Sequence, residues 1–163
     1  MRTNLYLLVL LLSAYLGSAS AGAAVTVTFT KPESYTDVGR YGDEPSNEMK
    51  EIEVHLKQLG ERYLPPRQLL KIEVLDVDLA GRVNYSNRSA LEVRILRGNA
   101  DWPRIKLHYV LEADGRVLQD QQEDVADMGY LQRPSGRYSG QPLQYEKRML
   151  DDWFRQRFAA QKP

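Results

Sequence analysis

Two acids one residue apart, Asp76 and Asp78, followed by Gly81, are the nearest approach in this sequence to a cation-binding loop. Carboxylates at loop positions one and three with glycine at six are the opening of an EF-hand calcium loop. Position five here is Ala80 and position twelve is Asn87, where that loop needs an oxygen ligand and a bidentate Glu. The preceding segment also alternates like a strand rather than a helix. Asp76 and Asp78 are therefore candidate metal ligands of a weaker kind, two carboxylates sharing one strand end. The plainer reading is a pair of solvent-facing acids.

Asp101-Trp102-Pro103-Arg104 is the most unusual tetrapeptide. Trp and Tyr offer a large apolar body with a polar tip, which suits them to binding surfaces and equally to lids over a small core. Asp101, Trp102, Arg104 and the loop tyrosine Tyr130 are candidate binding residues on that ground. No catalytic residue is assigned. The two histidines, His55 and His108, lie on different elements with no local partners, and read as boundary residues. Adjacent acids occur at Asp151-Asp152 and Glu123-Asp124, with Asp127 nearby. Adjacent helical residues point about 100° apart, so Asp151 and Asp152 do not face one another. They are expected to form helix-surface pairs, Asp151 with Arg155 and Asp152 with Arg148. There is no G-x-S-x-G elbow, no nucleotide-binding motif and no cysteine. Thiol chemistry, disulfides and Cys-ligated metals are thereby excluded, and no cofactor is implied.

These residues need elements to hold them. Arg2, the apolar run Leu5–Leu12 and the small residues 17–24 have the three zones of a secretory signal peptide. The expected division is a signal peptide over 1–23 and a single domain over 24–163. A membrane span needs about 20 apolar residues; no second apolar run approaches this, so a soluble mature chain is expected. The 22 basic and 22 acidic residues are interspersed, which offers nucleic acid no basic block.

Val25–Phe29 alternates as a strand, and residues 33–45 read as an irregular connection. Ser46 is a suitable N-cap for a helix whose stripe is Met49, Ile52, Leu56, Leu59 and Tyr63, ended by Gly60 and Pro65-Pro66. In the strand Leu70–Leu79 the apolar positions change parity at Val74–Leu75, which predicts a bulge there. Asn84–Ser89 is loop-like and contains two glycosylation sequons by chance. Leu91–Ile95 and Ile105–Leu111 alternate, and Asp114-Gly115 suits a hairpin turn into an edge strand from Arg116 that turns polar at Gln119. Residues 132–142 read as surface loop, and a last helix over 144–158 carries Leu150, Trp153, Phe154 and Phe158. The expected fold is α+β: a two-layer sandwich, β-α-β-β-β-β-α, with a mixed or antiparallel sheet of four to five strands and both helices on one face.

Several of these segments together resemble one family. They are Val25–Phe29 with Pro32 and Tyr35-Thr36-Asp37; Asp76–Gly81; Asp101–Ile105; Glu123 through Asp127-Met128 to Tyr130; and Tyr145–Phe154. The chain resembles the exported bacterial proteins of domain-of-unknown-function family 3016 over nearly all of its expected mature length. The resemblance implies a Gram-negative periplasmic setting and transfers no activity. The expected function is a non-enzymatic envelope protein binding another protein, a glycan or a lipid component through loop aromatics and its edge strand. The alternative is a metal-dependent or acid-pair hydrolase using Asp76, Asp78, Asp101 or Asp127.

Overall fold

The computed structural model describes residues 23–159 apart from 39, 42–43, 85–92, 99 and 135. All but the last residue of the expected signal peptide lies outside the described residues. So do most of the expected Asn84–Ser89 loop and the first two residues of the expected strand at Leu91.

The domain is α+β, built on a mixed four-stranded sheet. Strand β1 (Ala24–Phe29) leads through a short ladder, β2 (Arg40–Tyr41) with β3 (Glu44–Pro45), into helix α1 (Asn47–Tyr63). Strand β4 (Gln68–Asp78) then returns parallel to β1, as a helical crossover allows. A second small ladder pairs β5 (Arg82–Asn84) with β6 (Val93–Ile95). The hairpin β7 (Arg104–Ala113) and β8 (Arg116–Ala126) completes the sheet in the order β1-β4-β7-β8, and helix α2 (Gln144–Phe158) follows.

Alternation along these strands makes one apolar face. Leu70, Ile72 and Val74 of β4 stand opposite Leu111, Tyr109 and Leu107 of β7. Beyond them the register shifts between Val74 and Asp76, so that Val77 meets Ile105. That irregularity is the predicted bulge: one extra residue returns the odd-numbered apolar positions to the core. Met49, Ile52, Leu56 and Leu59 of α1 and Leu150, Trp153, Phe154 and Phe158 of α2 join these strand residues in one buried cluster. Tyr109 meets Trp153 and Phe158 edge-on at 5.7 and 5.5 Å, the arrangement that aromatic quadrupoles favour. Ser46 Oγ accepts from Met49 N at 3.3 Å and caps α1. In the same helix, a Cβ on Gly60 would lie 2.0 Å from Val25 Cγ2, so glycine is what lets α1 rest on β1.

Several local expectations differ from the structure. The stretch 33–45, read as irregular, contains β2 and β3, and Arg82–Asn84 forms a strand despite having a single apolar residue. β8 continues to Ala126 although its sequence is polar, because a sheet edge can leave most of its side chains in water. Tyr138 is buried despite its polar surroundings. The turn Gly136–Tyr138 brings its ring edge-on to His55 at 5.2 Å. His55 itself is buried at 4% exposure, inside rather than at the boundary.

Candidate functional site

Most of the residues singled out by type lie where β4 ends and β7 begins. Asp101 precedes β7 and is buried, and its carboxylate accepts from Arg97 N at 2.6 Å, Gly98 N at 2.9 Å and Tyr130 Oη at 3.0 Å. Burial alone would raise the Asp101 pKa, but those hydrogen bonds outweigh it and hold the carboxyl below its usual value. Tyr130 is fully buried, packs edge-on to Tyr145 at 5.0 Å, and has its hydroxyl pushed up to about 12 by burial and by the Asp101 bond. Asp101 and Tyr130 are thus brought together, in the interior. Trp102, next to Asp101 in sequence, is half-buried.

Arg104 is brought instead to Asp78, with Nη2 3.3 Å from Oδ2, while Arg82 reaches Oδ1 at 3.4 Å. Burial raises the Asp78 pKa against the pull of these two cations. Asp76 looks elsewhere: its carboxylate accepts from Thr36 N at 2.7 Å and Thr36 Oγ1 at 2.9 Å. The two candidate metal ligands therefore serve separate partners, Asp78 the strand residues Arg82 and Arg104 and Asp76 the loop residue Thr36. Among the described residues no group of three or more His, Asp or Glu stands placed to hold a metal ion.

Three further carboxylates tie backbone at the same end, and sequence reasoning missed two of them. Asp37 accepts from Leu79 N at 3.1 Å and from Arg94 Nη1 at 2.7 Å, and the same Arg94 nitrogen reaches the carbonyls of Ala80 and Gly81. Glu146, in the first turn of α2, accepts from Ala80 N at 2.7 Å; burial raises its pKa against that bond. Asp127 accepts from Gly129 N at 3.1 Å and pairs with Arg148 at 2.8 Å, both partners being buried. Arg148 also donates to the carbonyls of Tyr130 and Arg133. The expected pair of Arg148 with Asp152 is thus replaced by a longer-range one. The expected pair of Asp151 with Arg155 is likewise replaced: Asp151 accepts from Tyr63 Oη at 2.9 Å and from Arg137 Nη2 at 2.5 Å. Buried charge forces this outcome, because a carboxylate leaving water must find hydrogen bonds wherever the fold offers them. Partners so far apart in sequence leave no spacing signal.

A cleft of about 250 Å³ lies between β8 and α2. Glu123, Asp124, Asp127 and Asp152 line it with Arg133, Arg157, Met149 and Trp153. Trp153 Nε1 donates to Glu123 Oε2 at 3.1 Å, and Arg157 Nε lies 2.9 Å from Glu123 Oε1. Alongside runs the outer edge of β8, which pairs with no strand among the described residues. An unpaired edge presents a row of N–H and C=O groups that can accept another strand. Val117, Leu118 and, past its end, Met128 and Leu131 are exposed apolar residues near its two ends.

Fold and cleft together define an α+β domain with polar, cross-tied loops at one end and a free strand edge beside a helix. The chain matches the family described as protein of unknown function, DUF3016, over residues 23–156, and it belongs to that family. No curated protein and no solved structure matches it. No helix among the described residues is long and apolar enough to cross a membrane.

Proposed function

We propose that this chain is an exported, non-enzymatic envelope protein, soluble in the periplasm once residues 1–23 are removed, and that it binds another envelope protein along the outer edge of β8. The observation that carries the reading is that edge: eleven residues of strand, open on one side, beside a cleft that could take side chains from an incoming segment. Main-chain hydrogen bonds to a sheet edge supply affinity, and adjoining pockets supply selectivity. The candidate acids favour binding over hydrolysis, because Asp76, Asp78, Asp101 and Asp127 are each committed to different partners within the fold. Export is supported by the charged, apolar and small-residue zones of the first 24 residues and by a family match that starts at residue 23.

The test places a photo-crosslinking amino acid at Gln122 on β8, or at Thr28 on β1 as a control, in cells whose periplasm is then released. A cleaved, periplasmic chain that crosslinks a defined partner from residue 122 but not from residue 28 is the expected result. An uncleaved cytoplasmic chain would overturn the export reading. Equal products from both positions would overturn the edge.

A further inference from the structure

The same edge also specifies what it would accept, provided that β8 is where the partner docks. We infer that the occupant is an extended, basic segment of a different protein, added to β8 as a fifth strand with lysine or arginine opposite Asp120 and Asp124. Along its length β8 carries Asp120, Glu123 and Asp124 against the single cation Arg116, a net charge of −2. Asp120 and Asp124 share a face of the sheet, since they stand opposite Val110 and Lys106 of β7. The Asp120 side chain is 62% exposed, and among the described residues its carboxylate meets His108, with Nε2 2.7 Å from Oδ1. Asp124 is exposed and makes no ion pair among the described residues.

A strand laid on this edge would sit about 4.8 Å away, which brings its side chains to about 5 Å from those opposite. Opposite charges at that distance stabilise the pair and like charges oppose it. Glu123 points to the other face, where Arg157 and Trp153 already hold it as part of the cleft wall. Cations are therefore called for on one face of the incoming strand, four positions apart. Its alternate side chains turn toward the cleft. A second copy of this chain fits poorly, because pairing two β8 edges would bring together two strands that are each negative. Lysine, a usual guard against edge pairing, is absent from β8.

The probes are three alternating peptides of about ten residues, long enough to cover one strand: Lys-Val, Gln-Val and Glu-Val repeats. Each is added to the chain lacking residues 1–23 while hydrogen exchange of the β8 amides is followed. The Lys-Val peptide is expected to protect β8 and the Glu-Val peptide to leave it unprotected. The double variant Asp120→Lys, Asp124→Lys should weaken Lys-Val binding by about tenfold or more. Equal protection by all three peptides would overturn the basic partner while leaving edge docking intact. No protection by any of them would overturn both. Sedimentation showing a dimer whose β8 amides are protected without peptide would overturn the inference in favour of a second copy.

Discussion

Acidification should destabilise this protein through His55. Its Nε2 lies 2.9 Å from the carbonyl oxygen of Lys147, so that nitrogen carries the hydrogen and donates it. Burial lowers the pKa to about 4 against the raising effect of that bond, with Lys147 and Arg62 lowering it further and Asp151 raising it. A histidine whose folded pKa lies below its unfolded value of about 6.5 contributes stability above that value and loses it as pH falls toward the folded one. From those two pKa values the loss is roughly 2 kcal/mol by pH 5 and about 3 kcal/mol by pH 3.5. Buried Glu146 and Asp78 act in the opposite sense, since their raised pKa values favour the folded state as protons bind. The comparison must therefore be between variants. His55→Gln keeps a side-chain N–H in reach of the Lys147 carbonyl and cannot titrate. Urea unfolding at pH 7 and pH 5 should show the wild-type midpoint falling by about 1 M more than that of His55→Gln. Equal losses in the two proteins would refute the assignment.

Two other perturbations bear on packing and on the loop ties. Gly60→Ala should gain about 1 kcal/mol of helix propensity, yet the methyl group meets Val25, and overpacking costs about 1–3 kcal/mol. Urea unfolding should show a net loss that disappears when Gly60→Ala is made in a Val25→Ala background. Asp101→Ala removes the acceptor for two backbone N–H groups and for the buried Tyr130 hydroxyl, a loss of about 3 kcal/mol. A change in unfolding free energy below about 0.5 kcal/mol, the range of an ordinary surface substitution, would refute that role.

The regular elements were legible where local chemistry decides them. Ser46 caps α1, Asp114 and Gly115 take φ values of 49° and 75° in the hairpin turn, and the parity change at Val74–Leu75 marks the register shift in β4. β8 was legible only at its start, because polarity at an edge says nothing about main-chain pairing. Of the candidate site residues, Asp101 and Tyr130 do meet, and Asp78 and Arg104 do meet, but in each case the partner came from the fold rather than from spacing. Glu146 illustrates the limit. In sequence it is an ordinary acid in the first turn of a helix, whereas in the fold it is buried and holds the backbone of Ala80 from 66 positions away.

The loops at the end of the sheet are tied by carboxylates on amide hydrogens rather than by sulfur bridges. Such ties need no oxidant, no partner exchange and no covalent step, so they can close as soon as the segments meet. A reducing surrounding cannot cut them and an oxidising one cannot scramble them. What acts on them is proton concentration and ionic competition rather than redox poise. With no cysteine in the sequence, its folding makes no demand on thiol chemistry wherever it resides.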